Sequence, residues 1–395
     1  MAGAKPVTSA EFAALMGPLG PFSDLIAVGC SGGPDSLALT RLADAWARGR
    51  GASVLALIVE HGLRAESAAE AASLAAALTA QGIATRILPL GLPAGPGLQE
   101  RARRARRAAL LAACAEAGAL HLLLGHHAGD QAETVLFRAL RGSGEAGLAA
   151  MSVSTVAAEA LILRPLLSIP KDRLTASLEG WPIRPFQDPS NADPRFARAR
   201  LRAAGDTSGV LAAGGAFGRR RNRLAAAVAD RLAAAVRLLP EGCAEVAPLR
   251  LGQDAVARRL MGALIRAVGG REHGPAEAAV ADLLARGSGS LGGALWTRDG
   301  RWLVPEPGAA TARFRGKVPA GYVLGSLGAD AASLRGRARH LPAAVLAGLP
   351  AFREPGNGKL ALVPHLAYLD REMSVRLTTV FAPPGGPVTE SHFAE

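Results

Sequence analysis

The sequence predicts an α/β protein, with a parallel sheet flanked by helices and a smaller α+β region after it. Three observations carry that expectation. Through the first 140 residues, apolar runs of strand length alternate with helix-length stretches, the βαβα order that builds parallel sheets covered on both faces. Three of the four runs end in polar clusters, CSGGPDS, EHGLR and GHHAGD, and the carboxyl ends of parallel strands are where such sheets bind ligands. Beyond about Val246 the pattern changes to shorter elements with hairpin signals.

The elements follow in order. Leu25–Gly29 and Val54–Val59 are continuous apolar runs, and Thr85–Leu90 and His121–Leu124 are weaker versions of the same signal. Helical stretches Asp35–Arg48, Glu66–Thr79, Leu98–Cys114 and Asp130–Leu140 separate or follow them. Leu161–Leu167 reads as a further strand, and Pro170 is suited to open a short helix running to Leu178. The Gly/Ala-rich stretch 205–218 reads as a linker, and Arg219–Leu239 as a helix. Asp299-Gly300 within ALWTRDGRWLV suits a tight primed hairpin turn. The expected organisation is a catalytic domain over 1–204, a linker and helical segment over 205–245, and a C-terminal domain over 246–395.

Composition narrows the class. At 395 residues the chain is too long for one ordinary core. Aromatics make up only 4%, so aliphatic side chains must carry most of the packing. No run of about 20 apolar residues lacks a charge, which argues against a membrane span. The N-terminus shows no apolar segment behind a basic one, which argues against export and for a cytoplasmic location. Cys30, Cys114 and Cys243 are far apart and form no CxxC pair, so neither a disulfide framework nor a zinc site is expected. Net charge is +12, with an excess of +4 over residues 1–202 and +8 over 203–395. A polyanionic partner is consistent with that balance, and the C-terminal half is where its phosphates would be met.

The strongest local signal is Ser31-Gly32-Gly33-Pro34-Asp35-Ser36, set between a strand and a helix. Two glycines let the backbone turn tightly and present N–H groups to an anion, and the helix adds its positive end. The Ser31 and Ser36 hydroxyls can add donors. No Gly-Lys-Ser/Thr closes the segment, so it is not a Walker A loop. The bland alternative is a strand-to-helix turn capped by Asp35 or Ser36.

SGGPDS at the end of the first strand resembles the PP-loop of ATP-pyrophosphatases, whose members release pyrophosphate through an adenylated intermediate. Further segments resemble the tRNA-Ile lysidine synthetases within that superfamily. Glu60-His61-Gly62-Leu63-Arg64 with Ser67 and Glu70 is similar to their DHGLR…S..EA element. Gly125 to Thr134 (GHHAGDQAET) resembles GHHxDDQxET, and RALRGSGEAGL from Arg138 continues it. Arg164-Pro165-Leu166-Leu167 with Lys171 resembles RPLL…K. Asp188-Pro189-Ser190-Asn191, then Arg198, Arg200 and Arg202, resembles DPSN…R-R-R. Five motifs in the right order, over about residues 24–202, are far more specific than any one.

The resemblance implies a PP-loop fold and a defined reaction. ATP adenylates the C2 oxygen of the wobble cytidine in tRNA-Ile with a CAU anticodon; free L-lysine then attacks C2 through its ε-amine, and AMP leaves. It places Ser31, Gly32, Gly33, Pro34, Asp35 and Ser36 around the ATP phosphates. Asp35 and Asp130 are the hard oxygen ligands available for Mg2+. Glu133 and Asp130 are placed to hold the lysine ammonium and take its proton. His126 and one of Arg198, Arg200 and Arg202 are candidates for cationic stabilisation of the α-phosphate. Arg103 and Arg106 share a helix face, read as solvated with nucleotide or tRNA contact as the alternative.

Two residues depart from the family pattern: Glu60 stands where Asp is usual, and Gly129 where the first of two Asp residues is common. Asp130 is expected to be the working carboxylate, with His126, Asp130 and Glu133 at helical i, i+4, i+7 spacing, and Gly129→Asp to be neutral or mildly beneficial. If His126 and His127 instead serve only the helix start, they are caps. The rival functions are another PP-loop enzyme such as a tRNA thiolase, and a non-catalytic nucleotide- or RNA-binding relative. Cytidine thiolases carry paired cysteines for an iron–sulfur cluster, which this sequence lacks.

Overall fold

Leu25–Gly29 forms β1, the third strand of a six-stranded sheet in the computed structural model of this protein. The structure describes residues 4–60, 62, 67–91, 95, 97–143, 148–186, 208–239, 241–309, 318–339, 341–364 and 366. With β2 (Ser53–Glu60), β3 (Ala84–Pro89), β4 (His121–Leu124), β5 (Ser154–Val156) and β6 (Leu161–Leu163), the strand order is β3-β2-β1-β4-β6-β5. All pairings are parallel except the edge pair of β5 with β6. The chain steps outward from β1 to β2 and β3, then returns to place β4 on the other side of β1. Order therefore reverses between β1 and β4, the switch point where open α/β sheets take ligands.

Successive β1 side chains feed two cores, as the period of two demands. Ile26 and Val28 pack with Leu37 and Leu39 of α2 (Pro34–Arg48) and Leu74 and Leu78 of α3 (Ser67–Ala80). Ala27 faces the other way, with Leu110 and Leu111 of α4 (Leu98–Ala117) and Leu122 and Ile162 of the neighbouring strands. Both faces are covered, so the apolar runs read from the sequence become buried parallel strands. After β4 the chain enters α5 (Ala128–Leu140). On α5, Gln131 grips Met151, accepting from its N–H at 2.7 Å and donating to its carbonyl at 3.1 Å.

The segment expected as a linker is helical: α6 is the short helix Lys171–Ala176, and α7 runs from Ser208 to Ala235. Gly214 of α7 lies against α5, where a Cβ would fall 2.8 Å from Val135 Cγ2. Close packing therefore calls for that glycine, although glycine usually weakens a helix. The strand expected over Leu161–Leu167 ends at Leu163, and Arg164 onward turns toward Pro170.

The chain divides into two compact units after Asn222, within α7. In the second, a five-stranded sheet packs under α8 (Ala255–Val268), whose Leu260, Leu264 and Ile265 meet Trp296 and Leu303. A separate three-stranded sheet carries its own apolar cluster around Phe352. The expected hairpin is present, with Trp296 opposite Leu303, but its turn is not a two-residue primed one. Gly300 has φ +67° and Asp299 does not share the left-handed region, whereas a type I′ turn needs both. Gly300 N–H donates to Thr297 O at 2.9 Å, and Thr297 N–H to Trp302 O at 2.8 Å, closing a longer loop.

Candidate active site

The phosphate-loop segment turns directly from β1 into α2. Gly33 is the N-cap with no side-chain cap, and Pro34 opens the helix, so neither Asp35 nor Ser36 caps it. The first-turn N–H groups are left for an outside acceptor. Gly32, at φ +80°, accepts at its carbonyl oxygen from the Phe186 N–H at 2.9 Å, and a Cβ there would fall 2.4 Å from Phe186 Cδ2. Gly33 is open: its nearest neighbour to a Cβ is Ser31 Oγ at 3.7 Å. One glycine is thus clamped from below while the next faces free space, the shape of an anion cradle. Ser36 is buried, accepts from the Ser31 N–H at 3.1 Å and donates to Gly33 O at 3.0 Å. Its hydroxyl shapes the loop from within, whereas Ser31 is exposed.

The second segment starts at the end of β4. Gly125 passes so near α2 that a Cβ would meet Asp35 O at 2.9 Å. His127 is the N-cap of α5: its Nδ1 accepts from the Gly129 N–H at 3.0 Å, and Asp130 Oδ2 accepts from the His127 N–H at 3.0 Å. The His127 Nε2 lies 3.7 Å from Asp35 Oδ2 and 3.7 Å from Asp130 Oδ2. The two loops therefore bring Asp35 and Asp130 around one imidazole. Glu133 sits buried one turn along α5. His126 precedes the helix, so the expected i, i+4, i+7 face holds for Asp130 and Glu133 only.

His126 is half-buried. Burial first, then Arg164, Arg106 and Arg103, pull its pKa down to about 4, with Asp130 opposing. It is neutral near pH 7, which corrects the expectation of a cationic histidine; positive charge here belongs to the arginines. Burial lowers Arg106 too, with Arg103 adding and Cys30 opposing. Arg106 lines a small pocket with Gly29, Cys30, Ser31, Leu57, Val59 and Leu110, so this half of the expected solvated pair faces the strand ends. Arg103 is exposed. Arg164 donates to Ser152 O and Thr155 Oγ1, both at 3.0 Å, and burial lowers it to about 10. Its motif was visible in the sequence; its place beside His126 was not.

Glu60 has a structural task at the end of β2. Its Oε1 accepts from the Gly62 N–H at 2.6 Å and from the Ser67 hydroxyl, tying the turn to the start of α3. Cys30, Cys114 and Cys243 are buried and form no disulfide. Burial raises the Cys30 thiol and takes Cys114 to about 11, so neither is a ready thiolate. Arg198, Arg200 and Arg202 lie outside the described residues. Among the described residues, no group of three or more His, Cys, Asp and Glu side chains could hold a metal ion alone. No helix there is long and apolar enough to cross a membrane.

A family model described as a PP-loop domain matches residues 6–204, half of the chain. A tRNA(Ile)-lysidine synthase from Salinispora tropica is 38% identical, over 72% of this chain and 91% of the relative. The chain belongs to the tRNA(Ile)-lysidine synthase family of PP-loop proteins. A family member from Bradyrhizobium sp. is 43% identical over 60% of this chain, and the match spans 66% of its length, just under two thirds. Among solved structures, the U34-tRNA thiolase NcsA from Methanococcus maripaludis is similar over 53% of this chain and 77% of its own, with a TM-score of 0.42 and 18% identity.

Proposed function

We propose that this chain uses ATP to adenylate the C2 oxygen of the wobble cytidine in CAU-anticodon tRNA-Ile, then attaches free L-lysine to C2. AMP and pyrophosphate are released. The observation that carries the reading is the convergence of the two strand-end loops at the switch point, with Asp35 and Asp130 around one imidazole. In the first step the cytidine oxygen attacks the α-phosphorus and the bond to pyrophosphate breaks. The open face at Gly33 and the first-turn N–H groups of α2 receive the phosphates.

Two carboxylates beside a phosphate cradle fit Mg2+, which takes one or two carboxylates and completes its shell with phosphate oxygens and water. When bound, it would neutralise charge building on the phosphates. Asp35 and Asp130 would hold it. In the second step the lysine ε-amine attacks C2 and the C–O bond to AMP breaks. The ammonium must first lose a proton, and Glu133, buried on α5, is placed with Asp130 to hold it and take that proton. Arg164 and Arg106 supply the positive charge that the leaving AMP needs, with Arg198 as a further candidate. The C-terminal region from 246 onward is proposed to contact the tRNA, and the cytoplasm is the compartment that offers all three substrates.

A thiolase reading finds no support in the buried, separate thiols. The test is pyrophosphate release in the presence of CAU tRNA-Ile: Asp35→Ala should abolish it while circular dichroism stays unchanged, and wild-type turnover in that variant would remove the site assignment.

A further inference from the structure

We infer that His127 is a positioning residue that holds Asp35 and Asp130 convergent through its Nε2–H. The inference rests on the active-site reading above. His127 is 5% exposed, so its ring is fixed by what surrounds it. Because Nδ1 accepts the Gly129 N–H at 3.0 Å, the proton of the neutral ring is on Nε2. That Nε2 lies 3.7 Å from Asp35 Oδ2 and 3.7 Å from Asp130 Oδ2. The distance is too long for a hydrogen bond and short enough for a strong dipole–charge attraction.

Three features make this a built arrangement. Asp130 is held twice by the same residue, since its Oδ2 also accepts the His127 backbone N–H at 3.0 Å. Gly129 leaves the room: a Cβ there would lie 2.8 Å from His127 Cε1 and 3.0 Å from Nδ1. A larger residue at 129 therefore requires the ring to shift. Finally, two carboxylates brought together repel one another. A neutral N–H between them offsets that repulsion without adding a net charge that would compete with a cation. With its proton on Nε2, the ring has no lone pair there to ligate a metal. His127 thus orients the ligands and stays out of the shell.

Two variants separate this role from helix capping. Asn at 127 keeps an acceptor for the Gly129 N–H, and Asn is a favoured cap, but it places no donor where Nε2 was. Gln carries its amide nitrogen near the Nε2 position and loses the cap. We expect His127→Asn to keep the wild-type thermal midpoint and to lose about 10- to 100-fold in pyrophosphate release, the range for residues that orient metal ligands. The loss should fall on kcat and leave the ATP KM unchanged. His127→Gln should show a lowered midpoint and higher turnover than His127→Asn. Mn2+ titrated alone, followed by electron paramagnetic resonance, should bind more weakly to His127→Asn than to wild type or His127→Gln. Wild-type turnover and Mn2+ binding in His127→Asn would overturn the inference. So would a Gln variant less active than the Asn one. If the wild-type protein binds Mn2+ but releases no pyrophosphate, the functional reading fails, and the Mn2+ comparison alone decides the role of His127.

Discussion

Gly125 lies against the start of α2 so closely that a side-chain carbon at 125 would stand 2.9 Å from the Asp35 carbonyl oxygen and 3.1 Å from Ser36 Cα. The contact is with backbone, which cannot swing aside. It fixes the distance between the phosphate loop and the His126–Glu133 segment. Gly125→Ala should cost about 1–3 kcal/mol through overpacking. Its larger effect should be on turnover, since displacement by about 1 Å can cost about 100-fold. Thermal unfolding and pyrophosphate release, measured together, check both. An Ala variant with wild-type turnover would show that this spacing does not matter.

Asp130 is the carboxylate expected to carry the second segment. Asp130→Asn should lower turnover at least about 100-fold. The sequence alone led to the expectation that Gly129→Asp is neutral or beneficial. A Cβ at 129 would lie 2.8 Å from His127 Cε1, so Gly129→Asp requires that ring to shift, which sets the opposite expectation. Gly129→Asp and Gly129→Ala should therefore both lower turnover. If Gly129→Asp raises it while Asp130→Asn stays active, the working carboxylate has been assigned to the wrong position.

His126 gives a pH dependence with a definite sign. Its pKa in the folded chain is about 4, against about 6.5 for an unperturbed imidazole. Between those values the unfolded chain binds more protons, so stability falls as pH falls through that window. His126→Gln should flatten that part of the acid limb in a chemical-denaturation series. In wild type the His126 ring proton resonance should show no titration above about pH 5.5; a midpoint near 6.5 would contradict the burial argument.

Much of this was legible in the sequence, for physical reasons. Buried parallel strands are continuous apolar runs, so β1 and β2 stood out while β3 and β4 gave weaker signals, and the polar clusters at the ends of β1, β2 and β4 located the site. What failed depended on contacts distant in sequence. Gly214 reads locally as a helix breaker, and only Val135 explains it. Phe186 clamps Gly32 from more than 150 residues away, with no local signal. The i, i+4, i+7 spacing put His126 on the Asp130 face, but the helix begins two residues after it at Ala128, and helix starts are the least certain part of a periodic pattern. The charge of His126 was misjudged because burial and three arginines cannot be read from spacing.

The basic second half yields a salt prediction. Arg335, Arg337 and Arg339 are exposed, as are Arg219, Arg220 and Arg223, whereas Arg221 is half-buried and donates to Ala150 O at 3.3 Å. Replacing Arg335, Arg337 and Arg339 together by Ala should weaken tRNA binding and reduce the slope of log affinity against log salt by up to about 3 if each meets a phosphate. ATP affinity and thermal midpoint should stay unchanged. An unaltered slope would remove these arginines from the tRNA interface.

The most direct test of the account is the nucleoside composition of the tRNA after reaction. CAU-anticodon tRNA-Ile, incubated with this protein, ATP, Mg2+ and L-lysine, should be digested and analysed by mass spectrometry. The account predicts one wobble cytidine converted to lysidine per AMP and pyrophosphate released, with no conversion when lysine is omitted or Asp35 is replaced by Ala. Unmodified cytidine in the presence of steady ATP turnover, or sulfur at that position when a sulfur donor is supplied, would contradict it.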